Sequence, residues 1–167
     1  MSIYVTSPRP KYGAFQDSTT QTIDSATTAY PVKLNTTDFS SGVSVVTDGT
    51  NPTRVTIADA GVYNIQFSLQ LANASASAVG DVDVWLRTNE TDIPASSSQV
   101  SIVASHGGVS GKLIIALNYL LQFTAGQYFQ LMWRGSSTDV TMPSIESQIN
   151  PTRPSTPSAI VTVTQVS

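Results

Sequence analysis

His106 is the single histidine of this 167-residue chain. It sits in the run Ser105-His106-Gly107-Gly108, with Ser101 and Ser110 close in sequence. A serine hydrolase needs a nucleophile held by such a base, and an acid to orient the base. No Gly-x-Ser-x-Gly elbow marks one of these serines, and His106 reads as a surface-loop residue. The chain has no cysteine, which excludes a thiol nucleophile, a thiolate metal site and a disulfide framework. Asp81 and Asp83, with Asn89, Glu90 and Asp92 downstream, offer oxygen ligands of the kind calcium takes. The spacing of a calcium-binding helix–loop–helix is missing, and alternate carboxylates running on to Trp85 read as an exposed strand face. No acidic pair has a setting that would raise one pKa for glycoside hydrolysis. Asn35, Asn73 and Asn89 each begin an Asn-x-Ser/Thr match, which chance supplies in a chain so rich in Ser and Thr. Trp85, Trp133, Tyr128 and Phe129 could stack on a sugar, but aromatics on strands more often anchor a core or an interface. The expectation is a non-enzymatic protein with no catalytic residue, metal or cofactor.

The elements that would position these residues are strands. Gly61 to Leu71 reads GVYNIQFSLQL, with Tyr63, Ile65, Phe67, Leu69 and Leu71 alternating with Asn64, Gln66, Ser68 and Gln70. A period of two gives one oily and one polar face. Ahead of it, Val55 to Ala60 forms a shorter strand and a turn closed by Gly61, placed there for its tolerance of positive φ. Gly111 to Phe123 is the most apolar strand. Leu113, Ile115, Leu117, Tyr119, Leu121 and Phe123 share one face, while Ile114, Ala116, Asn118 and Leu120 share the other. Apolar residues on both sides predict that both faces are covered.

Further strands are predicted from Gly13, over Tyr30 to Phe39, Asp81 to Arg87, Gln99 to Ala104, Gln127 to Arg134 and Ala159 to Val166. Val43–Val46 and Arg54–Ile57 flank Asp48-Gly49-Thr50-Asn51-Pro52, a hairpin signature. Pro151, Pro154 and Pro157 argue against a paired central strand there. With no sustained helical period, many short strands and turn signals between them, the fold class is all-β: a single β-sandwich or jelly roll.

Composition narrows the partners. Charged residues make up only 11% and the formal net charge is -3, against the basic patch a nucleic-acid binder shows. A surface so poor in charge is expected to be covered in part by other chains. No apolar run approaches the roughly 20 residues of a membrane-crossing helix. The start, MSIYVTSPRPKYG, lacks the basic-then-apolar pattern of a signal peptide.

The order of Gly61-Val62-Tyr63 at the head of a central strand, the hairpin Leu121 to Tyr128 and the closing strand Ala159 to Val166 resembles the C1q and tumour-necrosis-factor jelly-roll superfamily. GAFQDSTTQTI, YPVKLNTTDFSSGVSV and VWLRTNETDIP are similar to domains of bacteriophage structural proteins, including capsid decoration proteins and head- or tail-fibre proteins. The resemblance spans residues 13–167 and implies a homotrimer packed through the outward face of its inner sheet. Its interface would hold Asn64, Gln66, Ser68, Gln70, Ile114, Ala116, Asn118 and Leu120.

Residues 1–12, with Pro8 and Pro10, read as an extended arm outside the jelly-roll domain of residues 13–167. Ile3, Tyr4 and Val5 would add to a partner's sheet edge or fill its pocket, and Arg9 and Lys11 would either dock on an acidic partner or keep the terminus soluble. The leading expectation is a virion protein that decorates or cements the capsid, with the major capsid protein or another virion protein as partner. Neither nucleic acid nor membrane is expected as a partner. The alternatives are a fibre-tip module that binds host glycan and, more weakly, a secreted C1q-like ligand.

Overall fold

The computed structural model describes residues 9–167, so Ile3, Tyr4 and Val5 of the arm lie outside the described residues. In chain order the strands are β1 (Tyr12–Asp17), β2 (Tyr30–Pro31), β3 (Thr36–Ser41), β4 (Val43–Asp48) and β5 (Asn51–Ile57). They continue with β6 (Gly61–Asn73), β7 (Gly80–Thr88), β8 (Thr91–Asp92), β9 (Ser98–Ile102) and β10 (Gly111–Phe123). The last five are β11 (Tyr128–Gly135), β12 (Val140–Thr141), β13 (Gln148–Ile149), β14 (Thr152–Arg153) and β15 (Ala159–Gln165). None of the described residues is helical.

Two antiparallel sheets hold nearly all of these strands. The first runs β10-β6-β15-β1-β3, and the second β4-β5-β11-β7-β8, with β9 also on β7 and β2 on β11. The fold is therefore an all-β sandwich, an arrangement compatible with a jelly roll. Its single core follows from strand alternation. Tyr63, Ile65, Phe67, Leu69 and Leu71 of β6 all point inward and are buried. They meet Val82, Val84 and Leu86 of β7, and Leu131 and Trp133 of β11, in one cluster. Phe123 of the first sheet and Phe129 of the second lie 5.9 Å apart between ring centroids. Truncating a central member such as Ile65 to Ala would cost about 2–5 kcal/mol through lost burial and the cavity left behind.

The hairpin over Asp48 to Asn51 forms as the sequence predicts, with Gly49 at φ 63°. Three expectations change. Tyr30 to Phe39 is not one strand: Tyr30–Pro31 pairs with β11, whereas Thr36–Ser41 pairs with β1 in the other sheet. Val32 and Leu34 are buried at the crossing, so the apolar alternation reports a link between sheets. Gly61 is not needed for positive φ. A Cβ there would stand 2.5 Å from the Ser167 carbonyl oxygen and 2.6 Å from Gln165 Nε2, so the C-terminus passing close requires the glycine. Finally, only the inward face of β10 is covered within one chain, and Ile114 and Leu120 on its other face are 60% and 63% exposed.

β12 and β15 lie along the same edge of β6. Val140 and Thr141 pair with Asn73 and Ala72, and Ala159 resumes the pairing at Leu69. Between them the chain leaves as a narrow ribbon, pinned at its base by reciprocal Ile145–Thr156 backbone hydrogen bonds. The ribbon carries the β13–β14 pair, and Ile149 near its tip is 91% exposed. At the other end of β6, Lys11 meets the end of β15. Lys11 N–H donates to Gln165 Oε1 at 3.1 Å, Gln165 N–H donates to the Lys11 carbonyl at 2.7 Å, and Lys11 Nζ pairs with Asp59 at 3.0 Å.

Candidate subunit interface

The outward face of the first sheet collects the eight residues expected at the interface and adds a third strand to them. Register places Leu120, Asn64 and Thr164 in one row across β10, β6 and β15. The next rows are Asn118–Gln66–Thr162 and Ala116–Ser68–Ile160, and Ile114 lies opposite Gln70. All point outward because their neighbours in sequence point into the core. The alternation of Ile160, Thr162 and Thr164 was visible in the sequence. That β15 lies beside β6 depends on long-range pairing, which has no local signal.

None of these eleven side chains ionises. Ile114, Leu120 and Ile160 (41% exposed) supply apolar surface, the amides and hydroxyls supply hydrogen-bonding groups, and a shallow groove of about 410 Å³ crosses the middle, between Ala116 and Thr162. Asn64 Oδ1 is buried in this face with no hydrogen-bond donor among the described residues. Farther along the same sheet, the Tyr12 and Phe39 rings meet edge to face at 6.0 Å, and both are exposed.

The second sheet is built in the opposite way. Its outward side and hairpin ends hold four of the five ion pairs found among the described residues: Arg54–Asp48, Arg54–Glu90, Arg87–Asp92 and Arg134–Asp83, at 2.7 to 3.1 Å. The Arg54 guanidinium also lies 4.6 Å from the centre of the Tyr128 ring. The Tyr128 hydroxyl, and after it Arg54, holds the Glu90 carboxyl below its ordinary range, and the same hydrogen bond raises the Tyr128 phenol. Arg87 and then Trp85 lower Asp92. Surface ion pairs of this kind add little stability each, but they make this side a surface suited to water. The β10-β6-β15 side instead groups exposed apolar side chains with a single charge, Lys112, near one end of β10, a composition suited to being covered by another molecule.

The remaining candidate residues are dispersed. His106 lies exposed in a turn closed by backbone bonds to Val109. Ser101 Oγ donates to Asp81 and Ser105 Oγ to the Ala74 carbonyl, so neither hydroxyl is held by the imidazole. The carboxylates of Asp81, Asp83, Glu90 and Asp92 each take a separate donor, and among the described residues no group of three His, Asp or Glu converges to hold a metal. Asn73 is buried and bonded to the Ala78 and Ile102 carbonyls. The four aromatics of the supposed platform divide: Trp133 and Phe129 are core, while Trp85 and Tyr128 face outward. Of the arm, Arg9 is exposed and Lys11 is already paired with Asp59. Compared with known proteins, the sequence matches no family model, and no curated protein matches it significantly.

Proposed function

We propose that this chain is a non-enzymatic structural subunit of a bacteriophage virion, a homotrimer that decorates or cements the capsid. The observation that carries the assembly part is the contrast between the two sheets: the β10-β6-β15 face has exposed Ile114, Leu120 and Ile160 and only one charge, Lys112 near the start of β10, and the opposite side has four ion pairs. Such a face is stable in water only when covered, and identical copies offer identical faces that close into a ring around an axis. Threefold closure, and placement on a virion, rest on the resemblance to phage jelly-roll proteins. The arm supplies the contact with the shell through Ile3, Tyr4, Val5 and Arg9, while Lys11 stays bound to its own domain.

Sedimentation equilibrium of the full chain tests the assembly. The expected mass is about 53 kDa, three times 17.7 kDa, and a monomer at micromolar concentration would refute it. Immunogold labelling of purified phage particles tests the location. Label over the shell supports decoration, and label confined to a fibre or absent from particles overturns it.

A further inference from the structure

We infer that the outward face of the second sheet carries a carbohydrate subsite centred on Trp85, suited to a neutral hexopyranose. The site lies on the side of the sandwich away from the β10-β6-β15 face, so it stays open whether or not that face is covered.

Trp85 and Trp133 sit on the paired strands β7 and β11 but on opposite sides of the sheet. Trp133 lies opposite Val84 in the core, whereas Trp85 lies opposite Met132 on the outward side. Trp85 borders a depression of about 380 Å³ whose other walls include Asp83, Asp92, Ile93, Ala95 and Arg134. The one polar atom of the indole is engaged: Nε1 donates to Asp92 Oδ1 at 2.8 Å. That bond fixes the ring in place before any ligand arrives, which lowers the ordering cost of binding. It also leaves the ring face, with its negative quadrupole, as the recognition surface. The C–H face of a pyranose, apolar and slightly positive, matches it.

The polar groups around the ring suit hydroxyls. Arg87 Nε also donates to Asp92 Oδ1, at 2.7 Å, so two donors converge on one oxygen and Oδ2 has no donor among the described residues. Arg134 spends Nη1 on Asp83 Oδ2 and Nε on the Ala26 carbonyl. One ligand hydroxyl can donate to Asp92 Oδ2, and another can accept from the remaining guanidinium N–H groups of Arg134; both residues line the depression. Because each carboxylate here is matched by an arginine, the site has no surplus positive charge for an acidic sugar or a phosphate. The ligand is therefore neutral.

The wall of the depression is held rigidly. Three non-glycine residues among those described have positive φ: Asn89, Glu90 and Ala95. Asn89 and Glu90 form the two-residue turn of the β7–β8 hairpin, which requires that conformation. Ala95, at φ 61°, is the third residue of the turn Ile93-Pro94-Ala95-Ser96, which the Ser96 N–H closes on the Ile93 carbonyl at 3.3 Å. It is kept there by Ser96, whose buried Oγ bonds the Leu86 N–H and the Ile93 carbonyl and whose own carbonyl accepts from Tyr119.

The test is a titration of the full, ¹⁵N-labelled chain with methyl mannoside, methyl glucoside, methyl galactoside and N-acetylglucosamine. Each is taken to about 50 mM, enough to fill a site with a Kd of about 1 mM. The two indole N–H signals give an internal comparison. The Trp85 signal should shift saturably with at least one sugar, and the buried Trp133 signal should stay still. In Trp85→Ala the saturable shifts of the Asp83 and Ala95 amides should vanish while an unmoved Trp133 signal reports an intact fold. Asp92→Asn should weaken binding about tenfold. Absence of a saturable shift with all four sugars, or a shift that survives in Trp85→Ala, would overturn the assignment.

Discussion

Placing Asp at both Ile114 and Leu120 tests the covered face most directly. Burying a Leu or Ile side chain completely is worth about 1.5–3 kcal/mol. These two are still 60% and 63% exposed in one chain, so covering them contributes about 1–2 kcal/mol each. The double variant loses both terms and also forces two carboxylates to leave water without a partner, a penalty of several kcal/mol. Each subunit contact should therefore weaken by about 4 kcal/mol or more, roughly a thousandfold. Sedimentation velocity across about two decades of concentration should show the parent assembling and the variant remaining monomeric. Val46→Asp is the control, since Val46 is 47% exposed but lies on β4 of the other sheet, opposite Arg54, and it should leave assembly unchanged. Both substituted positions point away from the core, so circular dichroism should report an intact sandwich. A double variant that assembles like the parent would refute the reasoning, because a face that tolerates two carboxylates is not the one buried on assembly.

Removing residues 1–10 while keeping Lys11 should leave the sandwich folded and its sedimentation unchanged, and should abolish binding to arm-free particles in a co-sedimentation assay; retained binding would move the contact to the loops. Gly111→Ala should lower stability by about 1–3 kcal/mol, since its Cβ would stand 2.0 Å from the Val103 carbonyl oxygen. A thermal melt should show a loss of about 3–10 °C, and an unchanged melt would mean that the crossing yields easily. Asp92 has its pKa held below the ordinary 3.8 by Arg87 and Trp85. Its ion pair is therefore fully present above pH 3.8 and lost as pH falls through the lower folded value. The Trp85 indole N–H shift should titrate in that acid window in the parent and not in Asp92→Asn. Finally, a panel of esterase and glycosidase substrates should give no turnover, and activity abolished by His106→Ala would end the non-enzymatic reading.

Local patterning made β6 and β10 legible. Gly61 to Leu71 lies within β6 and Gly111 to Phe123 matches β10 from end to end, because unbroken alternation over that length has one physical solution. Tyr30 to Phe39 failed since Val32 and Leu34 keep the same alternation while the chain crosses between sheets, and burial alone cannot distinguish a crossing from a ladder. The eight interface residues were readable as two faces. Their union with Ile160, Thr162 and Thr164 was not, since the pairs of β15 with β6 are 90 or more residues apart in the chain, the nearest being Ala159 with Leu69. The two tryptophans looked alike in sequence. Parity within β7 places Trp85 outward, opposite to Val84 and Leu86, but β11 is buried on both sides, with Gln130 and Met132 as enclosed as Leu131 and Trp133.

The interruption between β12 and β15 makes this fold a natural scaffold for display. Both feet of the ribbon stand on one edge of β6, held by the Ser158 carbonyl on Gln70 N–H and by the Asp139 carbonyl on Ala74 N–H. The sheet's continuity therefore does not pass through residues 146–155. Because Ile145 and Thr156 are already bridged, a two-residue turn can close the gap, and a foreign peptide can occupy it without straining either foot. In a cyclic assembly every subunit would project such a graft from the end of β6 remote from Lys11 and Ser167. A single genetic insertion would then yield an array of epitopes with uniform spacing and orientation, while the ends of the chain stayed free for attachment.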